Sequence, residues 1–265
     1  FRVTRQEKVV GRSQIYIQTD PPLVGGIGVA PRFAYRRAML LSDRILFLDG
    51  EALVLDKPEG LPVDPPRDGS LSLENHLDSL RFGFKRWPLA VHRLDRDTSG
   101  CLLLARNPKA HGRFTRAFEG REVEKQYLAI LAGVPADDRG TIDLPLGKTS
   151  TAEAGWRMVV DPKGKPSVSH WETLAVANGR ALLRFRPETG RTHQLRVHAL
   201  EGLGFPIVGD PVYGTGGPRD RTMLHAERLV VKRDVKPSII AEAPFPDRFA
   251  ALGFEPPEGA APTRG

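Results

Sequence analysis

Residues 92–100 read HRLDRDTSG, with one carboxylate, Asp95, between Arg93 and Arg96 and a second, Asp97, just beyond. The next five residues, Cys101 to Ala105, are all apolar. Charges beside a core strand are costly unless each finds a partner. Two explanations compete: a fold-holding ion pair, or a carboxylate kept ionised for chemistry by a cation at its side. Sequence neighbours diverge on a strand or tight loop, so the better partner for Asp95 lies two residues away or comes from a distant segment. The stretch ETGRTHQLRVH, 188–198, supplies two distant candidates, Arg191 and Arg196, at the start of a short helix. A planar guanidinium would hold the carboxylate through a two-pronged pair, and the helix start offers N–H groups to a phosphate.

Other chemistries fit less well. The kinase catalytic loop needs His-Arg-Asp, a following Asn and a separate Asp-Phe-Gly, none of which occurs. Gly202-Leu203-Gly204 is followed by Phe205, Pro206 and Ile207, so a dinucleotide fingerprint breaks at its third glycine. His193 and His198 are five apart, which is not the i,i+4 spacing of a helical metal pair, and His92, His111 and His225 lie in separate segments. No metal and no cofactor is expected.

The elements that must position these residues read as follows. Asp49-Gly50 separates two apolar runs and signals a hairpin. Leu73, Leu77 and Leu80 recur at helical spacing after Ser70 and Ser72. CLLLARN is a strand, and Asn107-Pro108 opens a helix carrying Phe114, Ala117 and Phe118 that Gly120 closes. In REVEKQYLAILAG, Val123, Lys125, Tyr127, Ala129 and Leu131 share one strand face. Residues 137–167 read as loops with short strands. Asn178-Gly179 joins two further strands. Thr192 is the expected cap of the helix that ends near Gly202. Hairpin-linked strands outnumber helices, so the class is α+β on a largely antiparallel sheet.

The chain has 265 residues, with 39 Lys and Arg against 32 Asp and Glu, a formal net charge of +7. That balance favours a polyanion such as nucleic acid. The single cysteine, Cys101, leaves no internal disulfide and fits a reducing compartment. No run approaches the ~20 apolar residues of a membrane span. Residues 1–43, basic and rich in Gly and Pro, are expected to form an extended arm, 44–252 the folded domain, and 253–265 a disordered tail.

Taken together, HRLDRDTSG, EKQYLAILAG, ETGRTHQLRVH, PIVGDPVYG, MLHAERL and ILFLDGEALVLDKPEGLPVDP resemble, in the same order, the motifs of the pseudouridine synthases that modify large-subunit ribosomal RNA and transfer RNA. The resemblance covers about residues 44 to 250. It implies the pseudouridine synthase fold, a long mainly antiparallel mixed sheet with flanking helices and a central cleft. It implies cofactor-free isomerisation of uridine, in which the N1–C1′ bond breaks, the uracil turns, and C5 joins C1′. Asp95 matches the essential aspartate, and three roles are open to it: attack at C1′, attack at C6, or removal of a 2′ proton. Tyr127 matches the active-site tyrosine that stacks on uracil and helps remove the C5 proton, and Arg196 the arginine paired with Asp95, with Arg191 as the second candidate. Arg93 stands where a side chain could fill the stack left by the flipped uridine. Lys125, Arg191 and His193 are expected to face RNA. The resemblance further implies a monomeric cytoplasmic protein whose partner is RNA, without membrane or metal. Many relatives carry a small RNA-binding domain ahead of the catalytic part, and the 40-residue arm is too short for one. The competing reading is a non-catalytic RNA-binding or RNA-folding protein of the same fold, which would have no reason to keep Asp95, Tyr127 and Arg196 together.

Overall fold

The computed structural model describes residues 40–151, 155–217 and 220–261. Most of the expected basic arm lies outside those residues. Its last part does not behave as an arm: Leu41–Arg44 form a 3-10 turn, and Leu41 is buried in the core because its side chain has an apolar surface to cover. The other boundary also moves. Phe254 is 3% exposed and packs with Phe245 and Phe249, so the ordered chain passes the expected start of a disordered tail at 253.

Among the described residues twelve strands follow in order: β1 (Ile45–Leu48), β2 (Ala52–Lys57), β3 (Leu89–Ala90), β4 (Ser99–Ala105), β5 (Val123–Leu131), β6 (Arg139–Asp143), β7 (Leu146–Thr151), β8 (Gly155–Val160), β9 (Val168–Ala177), β10 (Arg180–Pro187), β11 (Leu224–Val231) and β12 (Ile239–Glu242). The helices are α1 (Pro108–Glu119), α2 (Gln194–Val197), which runs into a π-helical turn His198–Gly202, and α3 (Asp247–Ala250). The fold is α+β.

Ten strands form one sheet along the path β1-β2-β4-β11-β5-β10-β9-β6, with β3 on β4 and β12 on β11, while β7 and β8 form a separate hairpin. Every pairing in the sheet is antiparallel except that of β4 with β11. Local chemistry explains the turns. Asp49 Oδ1 accepts the N–H groups of Glu51 and Ala52, both at 2.8 Å, and closes the β1–β2 turn. Asn178 and Gly179 both take positive φ, 51° and 70°, as a two-residue turn matched to strand twist requires. Asn107 caps α1 through Ala110 N–H at 2.9 Å. The run Leu73–Leu80 is 3-10 rather than α; it buries Leu73, Leu77 and Leu80 behind a Ser72–Asn75 capping box. Residues 137–167 hold more strand than expected, β6 and the β7–β8 hairpin.

The parallel pair decides where the site lies. It sets His225 beside Ser99 and Ala226 beside Gly100, so the loop before β4 emerges in the middle of the sheet. Gly100 has φ 103°, and a side chain there would run into the Ala226 backbone. Only glycine permits this close approach. Gly100→Ala is expected to cost more than about 2 kcal/mol, combining backbone strain with a displaced β11. A thermal melt that leaves the midpoint unchanged would contradict that account.

Candidate active site

The charges of HRLDRDTSG separate, each toward a different partner. Arg93 pairs with Asp64 at 3.0 Å at the surface, Asp95 with Arg196 at 3.1 Å, and Asp97 with Arg221 at 3.4 Å. Arg96 contributes its carbonyl, which accepts Gly60 N–H at 2.9 Å and Lys57 Nζ at 3.0 Å. Lys57 is wholly buried, and its ammonium also donates to the carbonyls of Pro58 and Leu61, both at 2.9 Å. Three carbonyl acceptors use all three ammonium protons. Burial pulls this lysine down to about 7, against the carboxylates of Asp97, Glu59 and Asp95. His92 is no cation: burial holds it down at about 3, its Nε2 accepts Leu103 N–H at 3.0 Å, and its ring stacks on Phe118. The loop bearing Asp95 is thus fastened on both sides, and the Thr98 N–H bond to the Asp95 carbonyl, 3.1 Å, tightens it.

Arg196 does meet Asp95, but not through a fork. Its Nη1 donates to Asp95 Oδ2, whereas Nε and Nη2 grip both oxygens of Asp210 at 2.7 and 2.8 Å. Asp210 is fully buried and also accepts the N–H groups of Val212 and Tyr213, so its carboxyl stays below the ordinary carboxylate range. The two-pronged geometry belongs to Asp210, and Asp95 receives a single N–H from Nη1. Among the described residues Asp95 Oδ1 has no hydrogen bond, because Arg196 and, at 3.9 Å, His193 both address Oδ2. One carboxylate oxygen is fixed and the other is open.

Asp95 opens onto a cleft of about 420 Å3 lined by Arg93, Lys125, Tyr127, Arg191, His193 and Arg196, with apolar floor from Leu94, Leu195 and Leu224. All seven residues singled out in the sequence therefore line one cavity, although they come from three separate segments. Tyr127, on β5, packs against two parts of the core, and burial together with the Asp95 charge pushes its phenol above the ordinary value. Lys125, two residues earlier on the same face, leans on the Thr189 carbonyl at 3.4 Å, and burial lowers it to about 8. Arg191 turns to the Pro166 carbonyl at 3.3 Å, not to Asp95.

His193 is where the helix start departs from expectation. Thr192 is not the cap: His193 precedes α2 in the left-handed region, φ 54°, without a side-chain cap. Gln194 instead folds back onto the preceding loop, accepting Arg191 N–H at 3.0 Å and the Thr189 hydroxyl at 2.7 Å. His193 Nδ1 meets the Tyr213 hydroxyl at 2.9 Å, and burial lowers its pKa even though Asp95 opposes the shift. Tyr213 also holds β8, accepting Met158 N–H at 3.0 Å and donating to the Met158 carbonyl at 3.1 Å, so its single proton does not fix the His193 tautomer. The strained histidine thus ties the β7–β8 hairpin to the Asp95 loop. Trp156, on the same hairpin, stands edge-on to His193 at 5.2 Å.

Asp210 and Tyr213 carry much of this geometry, and reading the residues one by one does not find them. The signal was present in PIVGDPVYG, where Gly209-Asp210-Pro211 reads as a turn; nothing local says that the turn closes over Arg196.

A carboxylate with one pinned and one open oxygen, a guanidinium locked behind it and a half-buried tyrosine beside it define a site for attack on, or stabilisation of, an electron-poor carbon in a base-sized cleft. The comparisons agree in kind. Residues 51–201 match the family model described as RNA pseudouridylate synthase. An uncharacterized RNA pseudouridine synthase of Zymomonas mobilis is 62% identical over 217 residues, covering 81% of this chain and 99% of that protein. A ribosomal large subunit pseudouridine synthase D of Nitrosomonas europaea is 37% identical over 79% of this chain, and the match spans 64% of the relative. The solved structure of human RNA pseudouridylate synthase domain containing 4 superposes with a TM-score of 0.68 at 26% identity, over 82% of this chain and 96% of that one. The chain belongs to the RNA pseudouridylate synthase family, and it is an enzyme of that family's kind.

Proposed function

We propose that this enzyme converts uridine to pseudouridine in ribosomal or transfer RNA, working at a uridine extruded into the Asp95 cleft. The observation that carries the reading is the open Oδ1 of Asp95 above a pocket whose other wall is Tyr127. Base extrusion is needed because the C1′–N1 bond is shielded inside a helix. Arg93, which lines the cleft and is exposed in a surface pair with Asp64, fills the vacated stack. Lys125, Arg191 and His193 receive the flanking backbone; Lys125 and Arg191 each lean on one neutral carbonyl among the described residues, which leaves their charge for phosphate.

In the reaction the N1–C1′ electron pair leaves with uracil as a delocalised anion, so no acid need protonate the leaving group. Asp95 stabilises or captures the electron-poor C1′. The ring turns, C5 forms the new bond to C1′, the C5 proton departs, and N1 gains a proton. Tyr127, kept protonated by burial and by Asp95, is not a base alone. It stacks on uracil and relays the C5 proton by passing its own to the Asp95 carboxylate, which hands a proton on through solvent to N1, so phenol and carboxylate both return to their starting states. No metal or cofactor enters this sequence, and the protein works in the cytoplasm as a monomer. Among the described residues no helix is long and apolar enough to cross a membrane.

Tyr127→Phe keeps the stacking ring and loses the relay. Turnover is expected to fall by about 10²–10⁴, with RNA affinity changed far less. Equal losses in both would make Tyr127 a binding residue only. The reading as a whole is tested by mapping pseudouridine in ribosomal and transfer RNA from cells with and without the gene. At least one site should vanish on deletion and return on complementation; an unchanged map would overturn it.

A further inference from the structure

A second pocket, of about 310 Å3, lies at the far end of β4 and is lined by Lys85, Arg86, Trp87, Leu89, Arg106 and Asn107. Its rim is the segment RFGFKRWP, 81–88, which carries three basic side chains, three aromatic rings and no acid. Trp87 is 51% exposed, Phe82 40% and Leu89 43%. Exposed apolar rings on a well-ordered loop need a reason.

The loop is built rather than slack. Arg106, buried at the end of β4, donates Nη2 to the carbonyls of Arg81 and Phe82, both at 3.0 Å, and Nη1 to that of Asp49, while its guanidinium lies 3.8 Å over the Phe84 ring. These bonds hold Phe82 at φ 44°, left-handed backbone that a phenylalanine adopts only under constraint. The result is that Phe82 and Trp87 are both exposed on this loop, with Trp87 lining the pocket. Arg81 lies over the Trp87 ring at 5.5 Å, and Lys85 and Arg86 are exposed.

Helix α1 connects this pocket to the catalytic cleft. Asn107 and Pro108 at its start line the second pocket; Phe118 and Glu119 at its end line the first. Its twelve residues span roughly 18 Å. Lys109, Arg113 and Arg116 recur at i, i+4 and i+7 and so share one stripe of the helix. Lys109 and Arg116 are exposed, and Arg113 is the one engaged, with Glu51 at 2.6 Å. Arg121 then leads to Lys125 in the cleft.

We propose that the Trp87 pocket is a second RNA-binding site, which stacks an unpaired base of the same RNA whose uridine enters the Asp95 cleft, the intervening backbone running along α1. Alternating positive charge and exposed rings is the surface that takes single-stranded nucleic acid, where charge follows the backbone and rings take bases of any sequence. A base pair could not stack this way, so the occupant is a single-stranded flank. The inference rests on the reading of this chain as an RNA-modifying enzyme and adds where the RNA goes beyond the target nucleotide.

Trp87, Trp156 and Trp171 are the three tryptophans. The full chain carrying Trp156→Phe should lose Trp emission when titrated with a fluorescein-labelled oligouridylate of about 20 nucleotides, since stacking quenches an exposed indole. Adding Trp87→Phe should remove that response, leaving only buried Trp171. Trp87→Ala should weaken binding, read by anisotropy, on the order of fivefold to a hundredfold at constant salt, the span measured when one stacked base is lost. Lys85→Ala with Arg86→Ala should flatten the log–log salt slope by about 1.4, and Lys109→Ala with Arg116→Ala by a similar amount. Intact anisotropy binding with unchanged emission and unchanged salt slopes would overturn the second site while leaving the cleft reading in place. Absence of binding by the Trp156→Phe protein and the unaltered chain alike would overturn both. A Trp87→Ala protein that sediments at half the mass of the unaltered chain would overturn the proposal in favour of a self-association face.

Discussion

Asp95→Asn is expected to abolish isomerisation, to below about 1% of the unaltered rate, with the fold and RNA binding largely kept. Asparagine reproduces the shape and can still accept from Arg196 Nη1, so the loop keeps its Lys57 and Thr98 bonds. The anionic oxygen that faces the cleft is gone. Losing a hundredfold corresponds to about 2.7 kcal/mol of barrier, modest for a group that stabilises or captures C1′. Arg196 does not become an orphan, because Asp210 still neutralises it. RNA affinity should hold or rise slightly, since one negative charge leaves a site that receives phosphates. The check is single-turnover kinetics on an RNA target that carries the unmodified uridine, with a thermal melt and an anisotropy titration beside it. Turnover above about 1% in a folded, RNA-binding variant would remove Asp95 from the centre of the mechanism.

Much of this site was legible because the chemistry sits in contiguous motifs. Asp95, Tyr127 and Arg196 are named through the resemblance of HRLDRDTSG, EKQYLAILAG and ETGRTHQLRVH to family motifs, and the structure brings the three to one cleft, while strand alternation tells only that Lys125 shares the Tyr127 face. Hairpins at Asp49-Gly50 and Asn178-Gly179 and the capped α1 were equally plain, each written in a few adjacent residues. Relations that close over long separations were not legible. Lys57 gripping the Arg96 carbonyl, Asp210 taking the Arg196 fork, and Tyr213 reaching both His193 and Met158 depend on which strands become neighbours. The parallel β4–β11 contact that creates those neighbours leaves only Gly100 as its mark in the sequence. Burial is the other blind spot. The segment 253–265 looks like a tail by composition, yet Phe254 fills an apolar gap between Phe245 and Phe249. Thr192 has the side chain of a cap, but the helix starts one residue later, at a left-handed His193 without a side-chain cap, and Gln194 folds back onto the Arg191 N–H.

Arg196→Lys should be as damaging to turnover as its charge is well conserved. The guanidinium spans two carboxylates at once: two N–H groups on Asp210, one on Asp95. An ammonium on a flexible stem makes a point contact and cannot hold both in fixed directions. Since Asp210 is fully buried with two backbone N–H partners already, lysine will settle there and leave Asp95 without its anchor. Asp95 is then free to rotate, and a misplacement of about 1 Å costs on the order of a hundredfold. Asp210→Asn separates aiming from folding. It leaves a buried guanidinium with half its neutralising charge, and breaking such a pair costs about 3–5 kcal/mol. Acid should imitate it: the Asp210 carboxyl is held below its ordinary value, so its stabilisation is complete above the unfolded pKa and is lost as pH falls through the folded one. Arg191→Lys is the control, because Arg191 donates to a carbonyl and faces the cleft, where a point charge serves nearly as well. Three measurements are needed: turnover at saturating RNA, melting temperature near pH 7, and melting temperature at low pH. The expected pattern is a large turnover loss with a small melting shift for Arg196→Lys, large losses of both for Asp210→Asn with a weakened acid dependence, and near-unaltered behaviour for Arg191→Lys. If Arg191→Lys were the crippled variant and Arg196→Lys were not, the arginine that aims Asp95 would be Arg191, reached through a movement on RNA binding.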